Sequence, residues 1–366
     1  MKKISYFSNN KFYKSKPKNK EYLTIFSFVP SGGRNSIDNI FTYFKKYLDK
    51  LDNIPTRIVL VADDEGIYGS YLNGIYTNDF LEFLNEWVSK IKNIEFYFIS
   101  HNLISDKVVK NRNLNYIAKG IVFHSEKHLN IQQNYSELVS ERFENNLITN
   151  LFLSYNRSFR PHRFYLYYKL VETKLINSGL FFWHASGYNK DYTDMVIRNF
   201  NERFNLNILN SINITEEYYS KKFDNEVQYG QDIIQDDYEK TFLSLVSETE
   251  SGNDTVYFSE KIFKPIVTLH PFILVGSPNS LVELKKLGYK TFDKWWDESY
   301  DKCDNPFDRI EKICDVLEKL NKLSYKELFD MRLEMRNVLE HNYKNFQIRI
   351  KKDYLVETLN EIFIDN

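Results

Sequence analysis

Between Phe242 and Phe292 the chain reads FLSLVSETESGNDTVYFSEKIFKPIVTLHPFILVGSPNSLVELKKLGYKTF, and few folds accommodate that succession of apolar and polar segments. Phe242 to Val246 has the length and composition of a buried strand. A polar loop follows, with Gly252, Asn253 and Asp254 as turn residues. Ser259 is placed to N-cap a short helix that opens at Glu260 and Lys261 and carries Ile262, Phe263 and Ile266. Pro265 has no N–H to donate, so it is expected near the first turn or at a bend. Phe272 to Val275 reads as a second buried strand, ending at Gly276-Ser277-Pro278. A helix from about Ser280 to Leu287 is stopped by Gly288 in the left-handed cap position, and Tyr289 to Phe292 is expected to return as a strand. Strand, helix, strand, helix, strand is the order of a parallel α/β sheet.

Ligands of such sheets sit outside the carboxyl ends of the strands, near helix N-termini that favour anionic groups. Ser247, Glu248, Glu250, Ser259, Glu260 and Lys261 follow the first strand here, and Gly276, Ser277, Asn279 and Ser280 follow the second. A lysine pairs with phosphate, and a carboxylate accepts hydrogen bonds from ribose or sugar hydroxyls. Each residue alone also fits a capped helix with a solvated Glu-Lys pair. As a set on two adjacent loops they suit a nucleotide-sugar.

A second series of the same kind begins near Thr149. Leu151 to Ser154 reads as a strand, Tyr155 to Arg163 as a basic loop, Phe164 to Lys174 as a helix, and Leu180 to His184 as a further strand. Arg157, Arg160 and Arg163 at that strand-to-helix junction offer the bidentate donors a diphosphate takes; a solvated basic loop is the alternative.

In the front half, Tyr22 to Val29, Arg57 to Ala62 and Ile94 to Ile99 read as strands, with Ile117 to His124 as a further candidate. Helices are expected over about Ile37 to Leu51 and Phe80 to Ile91. The small-residue loop from Pro30 to Ser36 matches no phosphate-binding fingerprint and reads as a tight turn. Asp63, Asp64 and Glu65 close the second strand as either a solvated turn or the acidic cluster of a site. His101 lies in a loop at the end of the third.

The run S-E-K-I-F-K-P-I followed by H-P-F-I-L-V-G resembles the donor-binding segment of the α-1,3-fucosyltransferases, in which a strand ending F-E-N-S precedes T-E-K-L, a helix and a strand reading V-P-V-V. It is also similar to glycosyltransferase-like proteins of large phages and giant viruses. The resemblance covers roughly residues 150–345. It implies a GT-B-like fold, two Rossmann-like domains facing a cleft: an acceptor-side domain over 1–148, a nucleotide-sugar domain over 149–345, and a last helix, within 346–366, that can cross back to the first domain. Glu260 and Lys261 match the family's sugar-nucleotide contacts and Glu248 the Glu after the strand. The family's Asn after that Glu is Thr249 here. Arg163 best fits the spacing of the family arginine on the diphosphate, with Arg160 and Arg157 as alternatives.

The implied reaction is inverting transfer from a nucleotide-diphospho-sugar, GDP-fucose-like by resemblance, to a glycan or other hydroxyl acceptor. An inverting step needs a carboxylate base, assigned first to Glu65, then Asp64 and Asp63, with Glu248 as the donor-side rival. No D-x-D with a suitably placed downstream His occurs, so no metal is expected. A catalytically silent nucleotide- or glycan-binding module and transfer onto modified viral DNA bases are the alternative readings.

Composition sets the outer bounds. At 366 residues the chain suffices for two domains, and its net charge of −1 carries no whole-protein basic footprint, which makes nucleic acid a poor expectation as partner. Cys303 and Cys314 are too few for a disulfide framework. The basic first twenty residues lack an apolar core and no run reaches the ~18 apolar residues of a membrane span, so the sequence reads as cytoplasmic.

Overall fold

The computed structural model describes residues 22–28, 56–62, 85–86, 88–89, 94–122, 129, 134–156, 160–183, 198 and 233–364. The chain forms two compact units, Met1–Val122 and Phe123–Asn366, each built on a four-stranded parallel sheet. The fold class is therefore α/β, as the alternation of buried strands and helices predicts.

In the first unit, β1 (Tyr22–Phe28), β2 (Thr56–Ala62), β3 (Ile94–Ser100) and β4 (Ile117–Gly120) pair in that order, with α1 (Ser105–Asn111) crossing from β3 to β4. Val59, Leu60, Val61, Phe98 and Ile99 are buried, as apolar strands covered on both faces require. At the carboxyl end of β3, Ser100, His101 and Asn102 are all buried. Asn102 Oδ1 accepts from the Ile104 amide at 3.2 Å, a turn that turns the chain into α1. The expected helices over 37–51 and most of 80–91, the loop at 30–36 and the acids Asp63, Asp64 and Glu65 lie outside the described residues.

The second unit opens with α2 (Tyr135–Phe143) and continues with β5 (Asn150–Asn156), α3 (Pro161–Glu172), a 3-10 turn (Leu175–Ser178) and β6 (Gly179–Trp183). Then come α4 (Gln235–Lys240), β7 (Thr241–Ser247), α5 (Glu260–Val267), β8 (Phe272–Val275) and α6 (Ser280–Lys286). After a 3-10 turn (Ser299–Lys302), α7 (Pro306–Leu320), α8 (Tyr325–Arg349) and α9 (Tyr354–Ile364) complete it. The sheet order is β6-β5-β7-β8, which makes β5 and β7 central. All seven residues of β7 are buried. The division at Val122 puts α2 in the second unit, ahead of the sequence boundary near Thr149. The tie is specific, since Arg142 Nε on α2 donates to the Thr268 carbonyl at 2.9 Å.

Phe263 of α5 packs on Phe346 of α8 and on Tyr289, both at 6.0 Å between ring centres, and Tyr165 of α3 meets Phe307 of α7 edge-on at 4.4 Å. Burying one such ring is worth about 2–3 kcal/mol. At the amino end of β7, Arg332 of α8 donates to the Thr241 and Phe242 carbonyls. His270 lies beside them, its Nε2 2.8 Å from the Thr241 carbonyl and its Nδ1 2.8 Å from Ser244 Oγ. That fixes the tautomer: Nε2–H donates and Nδ1 accepts from the hydroxyl.

Several boundaries differ from the sequence reading, each for a local reason. Tyr289 to Phe292 is a connection and not a strand, with Tyr289, Thr291 and Phe292 buried and Lys290 exposed. Side chains take the place of a ladder there: Asn342 Oδ1 accepts from the Lys290 amide, and Glu298 Oε1 from the Phe292 amide, both at 2.7 Å. Gly288 does take the left-handed conformation, at φ 88°, and the Tyr289 and Gly288 amides bond back to the Leu284 and Lys285 carbonyls. Helix α3 starts at Pro161, three residues before the expected start, because proline is favoured in the first turn, and this carries His162 and Arg163 into the helix. Pro265 sits in the second turn of α5, where the loss of one helical bond is tolerated two residues before the end. Trp296 is buried against Phe292, and Trp295 Nε1 donates to Glu334 at 3.2 Å, so this pair is packing material.

Gly120 ends β4 where a Cβ would lie 2.1 Å from the Asn102 carbonyl oxygen, a backbone atom with no room to retreat. Gly120→Ala should therefore destabilise the first unit by about 2 kcal/mol or more, read as a lowered urea midpoint. An unchanged midpoint would contradict the close approach.

Candidate functional site

The carboxyl edge of the second sheet gathers most of the sequence-predicted residues. Ser259 N-caps α5 by accepting from the Lys261 amide at 3.2 Å. Its hydroxyl donates to Glu248 Oε2 at 2.6 Å, and its amide lies 3.2 and 3.3 Å from the two Glu248 oxygens. The Thr249 amide adds a bond to Glu248 Oε2 at 3.3 Å. Glu248 is thus the residue that joins the end of β7 to the start of α5, and it is 1% exposed. Burial pushes its carboxyl up to about 7, although the Lys261 charge and the Ser259 hydroxyl pull the other way.

Glu260 and Lys261 occupy the first turn of α5, half-buried, with Lys261 Nζ 3.1 Å from Glu260 Oε1 and 3.2 Å from Ser259 Oγ. For Glu260, burial acts to raise the pKa, but the charge and hydrogen bond of Lys261, helped by its own amide and by Lys264, outweigh it and hold the carboxyl below its usual range. Lys261 thus lies at the surface of the site, between Glu260 and the Ser259 hydroxyl that Glu248 holds.

Beneath this pair, buried donors hold the main chain. Arg163 Nη2 donates to the Ser247 and Glu248 carbonyls at 3.2 and 2.8 Å. His162 Nε2 lies 3.0 Å from the Glu248 carbonyl, and its Nδ1 lies 3.1 Å from Ser251 Oγ. Burial and the adjacent Arg163 charge keep the imidazole well below its ordinary pKa, so it is neutral. Arg309 of α7 donates to the carbonyls of Gly276, Ser251 and Cys303, which ties the loops after β7 and β8 to the 3-10 turn. Burial lowers its pKa to about 10, and it remains charged at neutral pH. Gly276 lies against Glu248, with an added Cβ 3.6 Å from the Glu248 Cβ.

Asn279 takes a left-handed conformation at φ 62°, which asparagine tolerates, and its amide bonds to the Asp301 carbonyl at 2.6 Å while its side chain is exposed. Arg160, buried, occupies the N-cap position of α3, and Glu250 is buried in the loop after β7. The Ser247 and Ser277 hydroxyls and Asn156 Oδ1, at the carboxyl ends of β7, β8 and β5, are buried with no hydrogen-bond partner. These oxygens can each take a further hydrogen bond, as can buried groups elsewhere such as the Tyr116 and Tyr300 hydroxyls. Arg157 and the acids Asp63, Asp64 and Glu65 lie outside the described residues.

Sequence reasoning passed over Arg309 and His162. Arg309 belongs to a helix that reads as an ordinary amphipathic one, so nothing local marks it. His162 carries a weak signal, its place beside Pro161 in a basic segment. The sequence matches no protein-family model and no curated protein.

Glu248 keeps its proton in the folded state to a higher pH than in the unfolded chain. Its contribution to stability is full below about pH 4.5, declines as the pH rises, and is lost once the pH passes about 7, a difference of about 3 kcal/mol. Glu248→Gln should flatten the fall in melting temperature between pH 5 and 7.5. His162 and His270, both held neutral, have the opposite sign and lose stability below about pH 6.5 in wild type and variant alike.

Proposed function

We propose that the second unit binds a nucleotide-diphospho-sugar and that the protein is an inverting glycosyltransferase of GT-B type. The observation that carries this reading is the carboxyl edge itself. The amide end of α5 with Lys261 stands beside the unpartnered Ser247 and Ser277 hydroxyls, over buried guanidinium groups bonded to main-chain carbonyls. A diphosphate is a ligand that Lys261 at a helix N-terminus can receive, and sugar or ribose hydroxyls supply partners for the unpaired oxygens. The likeness of the Ser259–Ile266 segment to the fucosyltransferase donor motif points to the same ligand class.

In this reading Lys261 makes the direct charged contact with the leaving diphosphate. Arg163 acts through space, since its Nη2 is engaged by two carbonyls in a buried setting. Lys261, at the positive end of the α5 dipole, stabilises the departing charge without a cation. Glu248 holds Ser259 and is closed to solvent, which makes it a support for the donor loop and leaves the base to Glu65, Asp64 or Asp63. The acceptor, a glycan or another hydroxyl compound, is deprotonated as it attacks the anomeric carbon from the face opposite the diphosphate.

Transfer or hydrolysis of labelled GDP- and UDP-sugars tests the reading. Lys261→Ala should weaken donor binding by one to two orders of magnitude, whereas Glu65→Gln, or Asp64→Asn if that is the base, should cut turnover by about two to four orders with donor binding retained. Nucleotide binding without turnover across a broad donor panel would favour a silent binding module instead. Activity should be the same in EDTA as with added magnesium or manganese, and metal-restored activity would overturn the cation-free leaving-group assignment.

A further inference from the structure

We propose that the buried carboxyl group of Glu248 makes sugar-nucleotide binding proton-linked, because it competes with the ligand's diphosphate for the Lys261 ammonium. This rests on the donor-binding reading above. The geometry is a relay through one hydroxyl. Ser259 Oγ donates to Glu248 Oε2 at 2.6 Å and faces Lys261 Nζ, its donor, at 3.2 Å. The two ends differ in access: Glu248 is 1% exposed, while the Lys261 side chain is 21% exposed.

An ionised Glu248 draws the ammonium inward through Ser259. A diphosphate at the α5 terminus draws it outward, and also places two negative charges near a carboxylate that water does not reach. Both effects penalise the ionised form in the complex. Uptake of one proton from solvent by Glu248 removes the penalty, after which Lys261 is shared only between the ligand and Glu260.

The surrounding groups leave Glu248 as the one that responds. On α5, Glu260 stays ionised because Lys261 and Lys264 overcome the effect of its burial. On α3, His162 stays neutral through burial and the charges of Arg163, Arg160 and, from α7, Arg309. Arg309, lowered by burial to about 10, keeps its charge up to pH 8.5. Glu250, in the loop after β7, and Asp301, which accepts from the Leu281 amide and is raised by burial, are the other buried carboxyls on this edge, and Glu250→Gln and Asp301→Asn serve as controls for them.

Isothermal titration with GDP-fucose and UDP-glucose is the test, because a diphosphate diester has constant charge between pH 6 and 8.5. Affinity of the wild type should fall about tenfold over that range, equivalent to a shift of one pK unit on binding. Heats measured in buffers of different ionisation enthalpy should show net proton uptake near pH 7. Glu248→Gln, whatever its absolute affinity, should bind with the same strength from pH 6 to 8.5, while Glu250→Gln and Asp301→Asn keep the wild-type slope. Wild-type binding with no proton uptake, or an unchanged slope in Glu248→Gln, would overturn the proposal while leaving the donor reading intact. The wild-type heats decide the matter even if Glu248→Gln does not fold. Failure of both sugar nucleotides to bind at any pH would overturn the donor reading and the proposal together.

Discussion

Glu248 ties three elements to one point. Its carboxyl receives the amide and hydroxyl of Ser259 at the start of α5, and its carbonyl accepts from Arg163 and faces His162, both from the first turn of α3. Because the group is buried, each of these bonds forms in a low-dielectric setting, where it is stronger and where its loss is more costly. The position of β7 relative to both helix N-termini follows from this residue. A carboxylate in such a place is expensive, and the upward shift of its pKa expresses that cost.

Helix α5 is short, and it is fixed at both ends. Ser259 caps its first turn. At the other end the His270 and Leu269 amides turn back to the Pro265 and Ile266 carbonyls, with Leu269 at φ 50°. Leu269 is fully buried, and the packing it gains offsets the roughly 1 kcal/mol cost of that conformation. Arg142 adds a cation at this end, on the Thr268 carbonyl, where the helix dipole favours it. A helix pinned in this way holds its N-terminal dipole and Lys261 in a fixed direction. Preorganised donors of that kind are what recognition of a diphosphate needs, since no reorganisation is required when the ligand arrives.

Charge at the carboxyl edge is uneven by depth. The buried layer holds Arg163 and Arg309 on carbonyl oxygens, and the half-buried layer holds the Glu260–Lys261 pair. Carbonyls satisfy the geometry of a guanidinium without cancelling its charge, and the carboxyls of Glu248, Glu250, Glu260 and Asp301 share the edge with these cations. An α/β fold alone would leave the function open, because parallel sheets carry many chemistries.

Local pattern sufficed for the parts of this protein that depend on near neighbours. The apolar run at Phe242 could be nothing but a buried strand, Ser259 had to cap the helix behind it, and Gly288 had to stop the next one, since each outcome is decided within a few residues. The clustering of Glu248, Ser259, Glu260 and Lys261 was legible for the same reason: strand ends and helix starts meet on one edge of any parallel sheet. Tertiary structure decided what long-range partners supply. Tyr289 to Phe292 has the composition of a strand, yet Asn342 and Glu298 claim its amides, and only the packing of α8 brings Asn342 there. Arg309 is separated by 33 residues from Gly276 and by 58 from Ser251, so its hold on both loops has no trace in the sequence around it. From the order of residues alone, Glu248 reads as a donor-side contact and a rival for the base. Its burial, and hence its altered proton affinity, arises from the helices that close over the end of β7.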